Sequence, residues 1–204
     1  SEKKQDQAKE VSSHYDLGND FYKLWLDPTM SYSCAYFKSD KDTLEQAQRN
    51  KVDYILQKLY LKPGMTLLDI GCGWRFLLLE AAKKYGVKGY GCTLSKEQWK
   101  KSQERIKALG LEGQVTIELT DYRDLEAKDL QFDRVVSVGM MEHVGRSNYS
   151  TYMETVNHLL KQGGIFLLHT ITGHDEVVSD PWIRKYISPG GTLPSLRELI
   201  HHAY

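Results

Sequence analysis

A strand-length apolar run that empties into glycines and then directly into a helical stretch constrains this chain most: Leu67-Leu68-Asp69-Ile70-Gly71-Cys72-Gly73-Trp74. It follows a Pro63-Gly64 turn and opens a regular alternation. Apolar runs recur at 66–70, 88–92, 115–119, 132–138 and 165–169. Helical patterns fill the gaps at 74–85, 95–109 and about 148–160, the last closing at Gly163-Gly164. Ser95 and Gln98 have the spacing of a capping box. Strands that are mostly apolar and alternate with helices predict a parallel α/β sheet covered on both faces, a Rossmann-like doubly wound fold.

The flanks are less regular. Residues 1–13 are polar and read as a frayed helix or tail. Aromatic and apolar residues cluster in HYDLGNDFYKLW (14–25), Asp27-Pro28 ends that element, and the aromatic loop TMSYSCAYF follows. A helix is predicted over 43–59, opened by Thr43 and Gln46 and carrying Leu44, Ala47, Val52, Ile55, Leu56 and Leu59 on one face. Residues 1–60 are therefore expected to cover a site on a core formed by 61–204. At the far end, Leu196, Leu199 and Ile200 give a final helix an apolar face that needs a cover. The chain is expected to stop short of its last strands.

Composition excludes several classes. The 204 residues suit one ordinary domain. With 27 basic against 27 acidic side chains there is no electrostatic case for nucleic acid. No apolar stretch approaches the ~20 residues of a membrane span, and Ser1 to Glu10 lack the apolar core of a signal peptide. Cys34, Cys72 and Cys92 have neither the number nor the spacing of a disulfide framework or a zinc site, which favours a reducing cytoplasmic setting and no metal. Thirteen tyrosines and four tryptophans exceed the needs of a plain core and suggest a pocket for something apolar.

A glycine turn between strand and helix lets a ligand approach the backbone and offers free N–H groups, although a tight turn without a ligand has the same pattern. A dinucleotide enzyme would add a third glycine where Phe76 stands, and a carboxylate at the end of the second strand, which here reads Gly91-Cys92-Thr93-Leu94-Ser95. Both absences count against NAD.

Asp69-Ile70-Gly71-Cys72-Gly73 resembles the first motif of class I S-adenosylmethionine-dependent methyltransferases. HYDLGNDFYKLWLDPTMSYSCAYF, LKPGMTLLDIGCGW, CTLSKEQ, FDRVVSVGMMEHVG, GIFLLHTI and DPWIRKYISPGGTLPS, in this order, resemble the cyclopropane-fatty-acyl-phospholipid synthase family. They look closer to its bacterial phospholipid type than to the mycolic acid type. The resemblance implies that Tyr32 and Ser33 contact the methionine part of S-adenosylmethionine. Asp69, Gly71, Cys72 and Gly73 form the glycine loop. Thr93, Leu94, Ser95 and Gln98 belong to the second-strand segment of the cofactor site, where Thr93 and Gln98 replace the acidic ribose ligand with neutral hydrogen bonds, and Tyr122 and Arg123 flank the adenine. Ordinary packing explains Tyr122 equally well by itself.

The family resemblance also implies a bicarbonate ion as the base, held by Cys34, Glu142, His169 and the backbone of Ile171. Glu142 follows the fourth strand and His169 ends the fifth, on the edge where a doubly wound sheet places its ligands. Taken alone, His169 reads as a hydrogen-bonded core histidine and Cys34 as a buried small hydrophobe. The implied reaction adds a methylene to the double bond of unsaturated phospholipid acyl chains. It passes through a carbocation that demands a dry, aromatic-lined site, for which residues 32–37 are candidates. Another S-adenosylmethionine-dependent C- or N-methyltransferase, or a binding-only fragment, remains open. Peripheral attachment to the inner face of the membrane and a homodimer are compatible with the resemblance.

The family's loop continues with glycine where this chain has Arg75. If that position requires close backbone approach, arginine strains the loop at a cost on the order of 1–3 kcal/mol; if it is already helical, Arg75 is free to meet the cofactor's carboxylate. The first outcome is the expectation. Arg75→Gly should tighten S-adenosylmethionine binding about tenfold, ~1.4 kcal/mol, in a calorimetric titration. Unchanged or weaker binding would mean that the position accommodates arginine.

Overall fold

The computed structural model describes residues 26–73, 76–174 and 192–203. The aromatic cluster at 14–25, Arg75 and all of DPWIRKYISPGG lie outside the described residues. Helix α1 (Leu44–Lys58) precedes strand β1 (Thr66–Ile70), α2 (Phe76–Tyr85), β2 (Lys88–Thr93), α3 (Lys96–Ala108) and β3 (Val115–Leu119). Two 3-10 turns lead to β4 (Phe132–Val138), the short α4 (Met141–Val144), α5 (Tyr149–Leu159) and β5 (Leu160–His169). Helix α6 (Leu196–Ala203) follows.

The five strands form one sheet in the order β3-β2-β1-β4-β5, every pair parallel. The chain winds outward from β1 in one direction and then crosses back to the other side, so a crevice opens at the carboxyl ends of β1 and β4. Alternation along the strands feeds two cores. Leu67 and Val136 join Leu56, Leu59 and Leu78 on one face. Leu68 and Val135 join Met141, Tyr149, Tyr152 and Leu159 on the other. Helix α1 thus belongs to the same apolar cluster as β1 and α2.

Thr43 and Ser95 cap α1 and α3, their hydroxyls accepting from the amides of Gln46 and Gln98 at 3.1 and 3.2 Å. The fifth strand departs from the expected 165–169: it begins at Leu160, directly after α5. Phe132 pairs with Leu160 and Arg134 with Ile165, so 161–164 bulge out of register. Gly163, with φ +74°, permits the bulge, and the Lys161 ammonium meets Asp133 at 3.1 Å. In α6 only Leu199 is buried; Leu196 and Ile200 remain exposed. Arg146 ties this helix to the core by donating to Glu198 at 2.7 Å.

Gly91 shows how tightly β2 fits against the glycine turn. A Cβ there would lie 2.7 Å from Ile117 Cδ1 and 2.9 Å from both Cys72 Sγ and Leu78 Cδ1. Three buried side chains would have to yield at once. Gly91→Ala is expected to lower stability by about 1–3 kcal/mol in urea unfolding, the usual cost of overpacking. An unchanged midpoint would mean that the pocket relaxes freely.

Candidate active site

The carboxyl ends of all five strands lie along one edge, and the chemistry-bearing residues follow from that register. Ile70 pairs with Cys92 and with Ser137, while Val138 pairs with His169. The amide of Gly139 then donates to the His169 carbonyl at 2.9 Å, fixing the end of β5 against β4. Gly71 leaves β1 with φ +73°, a conformation that favours glycine, and a Cβ on it would meet Met140 Sδ at 2.9 Å. Cys72 closes the turn, its amide donating to the Cys92 carbonyl at 3.3 Å. Burial pushes the Cys92 thiol up to about 12, which makes it a packing group and not a nucleophile.

Beyond β2, Thr93 donates its hydroxyl to Gln98 Oε1 at 2.8 Å, and Ser95 caps α3 below them. All three are buried, and Gln98 Nε2 has no hydrogen-bond partner. Leu94 lies between them at the strand's end and is half-buried. Beyond β3, Asp121 holds Arg123 through both its side chain and its backbone amide, with Nε at 2.9 Å. Tyr122 is buried, its ring edge-on to Tyr152 at 5.3 Å, and burial raises its hydroxyl to about 12.

Two pairs stand at the β4 and β5 ends. Cys34 Sγ lies 3.7 Å from His169 Nε2. The Ile171 amide donates to Glu142 Oε1 at 2.8 Å. Glu142 Oε2 and His169 Nδ1 are buried without a hydrogen-bond partner. Such orphaned atoms are costly unless something satisfies them. Cys34 is exposed, contrary to the expectation of a buried small hydrophobe, because its loop runs over the crevice instead of through the core. Tyr32, Tyr36 and Phe37 are also exposed, at 38%, 46% and 53%, so the expected aromatic wall is not closed by these residues in this structure. The Tyr36 amide donates to the Ala47 carbonyl at 3.0 Å, which strings this segment along the outside of α1.

Sequence reasoning passed over two side chains. Gln48 donates Nε2 to the Ser33 carbonyl at 2.9 Å, and the Lys51 ammonium donates to the Ser33 hydroxyl at 2.5 Å. Both sit at helical spacing among the apolar residues of α1, and that interruption of the apolar face was the available signal. Met140, packed under Gly71, had no such signal. Among the described residues no group of His, Cys, Asp or Glu is arranged to hold a metal.

A family profile described as mycolic acid cyclopropane synthetase matches residues 2–204. The chain belongs to that family. It is 55% identical over 187 residues to the cyclopropane-fatty-acyl-phospholipid synthase of Escherichia coli K12, covering 91% of this chain and 47% of the relative. The chain therefore spans about half the length of that curated relative. Among solved structures, the cyclopropane synthase MmaA2 of Mycobacterium tuberculosis superposes with a TM-score of 0.88 at 36% identity, covering 96% of this chain and 73% of the other. Mycolic acid cyclopropane synthase CmaA1 complexed with SAH and CTAB gives 0.86 at 39% identity, covering 96% and 72%. The parallel sheet and these neighbours make the fold that of the class I methyltransferases.

Burial holds the His169 imidazole below its ordinary value of 6.5, the Lys51 charge adds to this, and Glu142 opposes it. The folded protein thus binds this proton less tightly than the unfolded chain. The resulting stability is complete above pH 6.5 and is lost as pH falls below that value. An NMR titration of the His169 ring should give a midpoint under 6.5. A midpoint at or above the ordinary value would contradict this environment.

Proposed function

We propose that the chain is the S-adenosylmethionine-binding core of an enzyme that adds a methylene group to the double bond of unsaturated phospholipid acyl chains, forming a cyclopropane ring. Family membership supports the reaction class. The observation that carries the reading is the convergence of the Cys34–His169 and Glu142–Ile171 pairs at the strand ends beside the glycine turn. In this reading residues 1–60 cover the site, with α1 also packed into the core that 61–204 form.

S-adenosylmethionine, when bound, supplies an electrophilic methyl group. The turn at Asp69, Gly71, Cys72 and Gly73 would receive it, with Tyr32 and Ser33 on the methionine side. Thr93, Leu94, Ser95 and Gln98 would hold the ribose, for which the partnerless Gln98 Nε2 is a waiting donor. Tyr122 would offer its face to the adenine. Arg123, held by Asp121, would keep that turn in shape.

An alkene that takes up a methyl cation becomes a carbocation, and loss of a proton from the new methyl allows the ring to close. Bicarbonate, when bound, supplies a base for that proton. The donor set fits a protonated oxyanion: Glu142 Oε2 is a vacant acceptor, and His169 Nδ1 is a second unsatisfied polar atom. The Ile171 amide is engaged by Glu142, so in this reading it orients the carboxylate. His169, kept neutral at neutral pH, presents Nε2 beside the Cys34 thiol.

No helix among the described residues is long and apolar enough to cross a membrane. Cytoplasmic residence, with peripheral attachment to the inner face of the membrane, is a setting that would bring the site to phospholipid acyl chains. A homodimer is compatible with it.

Lipid mass spectrometry on cells expressing the chain, or a longer protein that carries it, tests the reading. The expected product gains the mass of one CH2 and loses alkene reactivity. A saturated methyl branch would instead assign another C-methyltransferase, and cofactor binding with no lipid change would assign a binding fragment. In the active protein Glu142→Gln and His169→Ala should each lower turnover about 10²-fold or more, the lower range for a displaced proton-transfer group, with little change in cofactor affinity. Near-normal turnover of either variant would remove that residue from the base's site.

A further inference from the structure

Among the described residues Lys51 is the one buried lysine, 6% exposed. Lysines are almost never buried this far without a charged partner. Yet its hydrogen bond goes to a neutral group, the Ser33 hydroxyl at 2.5 Å. One turn earlier Gln48 donates to the Ser33 carbonyl at 2.9 Å and keeps a buried Oε1 without a partner. Helix α1 thus grips Ser33 at both its backbone and its side chain. Ser33 in turn sits against the end of β4, since a Cβ built on Gly139 would lie 3.8 Å from Ser33 Cβ. The next residue, Cys34, reaches His169 on β5.

Burying an ammonium against a hydroxyl costs folding free energy that an apolar side chain of similar length would not. The Ser33 contact therefore does not by itself explain the charge through stability. We propose that Lys51 is a charged positioning residue, which acts through Ser33 to hold the 32–34 segment over the strand ends in the geometry that binds S-adenosylmethionine. This rests on the cofactor reading above.

Titration supports a charge-dependent role. Burial pushes the Lys51 ammonium down to about 8, opposed by Cys34 and Asp27 on the segment before α1. His169 faces it from β5, and the Lys51 charge lowers the proton affinity of that ring. The ammonium is thus charged at neutral pH and is lost as pH rises through about 8.

The test is calorimetric titration of the whole chain with S-adenosylhomocysteine at pH 7 and pH 9, for the wild type, K51R and K51M. The ligand's own amine titrates alike in each protein, so the ratio of wild-type to K51R affinity reports on Lys51. That ratio should fall about tenfold between the two pH values, since a group with a midpoint near 8 passes from about nine-tenths to about one-tenth charged. K51M should bind at least about tenfold more weakly at pH 7 while unfolding at no lower temperature than the wild type. A constant ratio, or K51M binding like the wild type, would overturn the proposal. Weaker binding by K51M accompanied by a lower unfolding temperature and a constant ratio would mark Lys51 as structural, which also overturns it. No binding by the wild type would remove the cofactor reading, and this one with it, whereas binding with a constant ratio removes this one alone.

Discussion

Everything at the candidate site hangs on the parallel pairing of β1 with β4. Those two strands are central in the sheet and send Leu67 and Val136 to one core and Leu68 and Val135 to the other. Burial on both faces fixes the register, because a slip by one residue would exchange the two faces of β1. With the register fixed, Gly71 and Gly139 leave the sheet side by side. Met140, following Gly139, packs against the space where Gly71 lacks a side chain. The crevice is a consequence of that pairing and not of any special property of the residues lining it.

The same geometry explains why unsatisfied polar atoms collect there. Glu142, His169 and Gln98 each place a buried atom without a partner at this strand-end edge, while their other polar atoms are held by Ile171, Cys34 and Thr93. Each side chain is fixed at one end and open at the other. A ligand entering such a site finds donors and acceptors already oriented and already stripped of water, so less ordering remains to oppose binding. The cost is borne by the apolar packing elsewhere, in the two cores that α1, α2 and α5 complete.

Local sequence determined a great deal here. Strand–helix alternation fixed the fold class, hydroxyl caps at Thr43 and Ser95 fixed two helix starts, and the glycine turn marked the end of β1 at the candidate site, because each depends on neighbours within a few residues. The strand ends that carry Glu142 and His169 were legible for the same reason, whereas the roles given to these two residues come from the family resemblance. The start of β5 at Leu160 was not, because its bulge depends on pairing with β4 across the sheet. Nor were the exposure of Cys34 and Phe37 or the grip of Gln48 and Lys51 on Ser33, contacts between residues 15 and 18 positions apart. A lysine on a helix reads as a surface charge until the loop that buries it is in place. Sequence periodicity sets which elements form and which face is apolar; only the packed structure decides which polar groups are trapped beneath another segment, because desolvation is a property of the assembled surroundings and not of the residue.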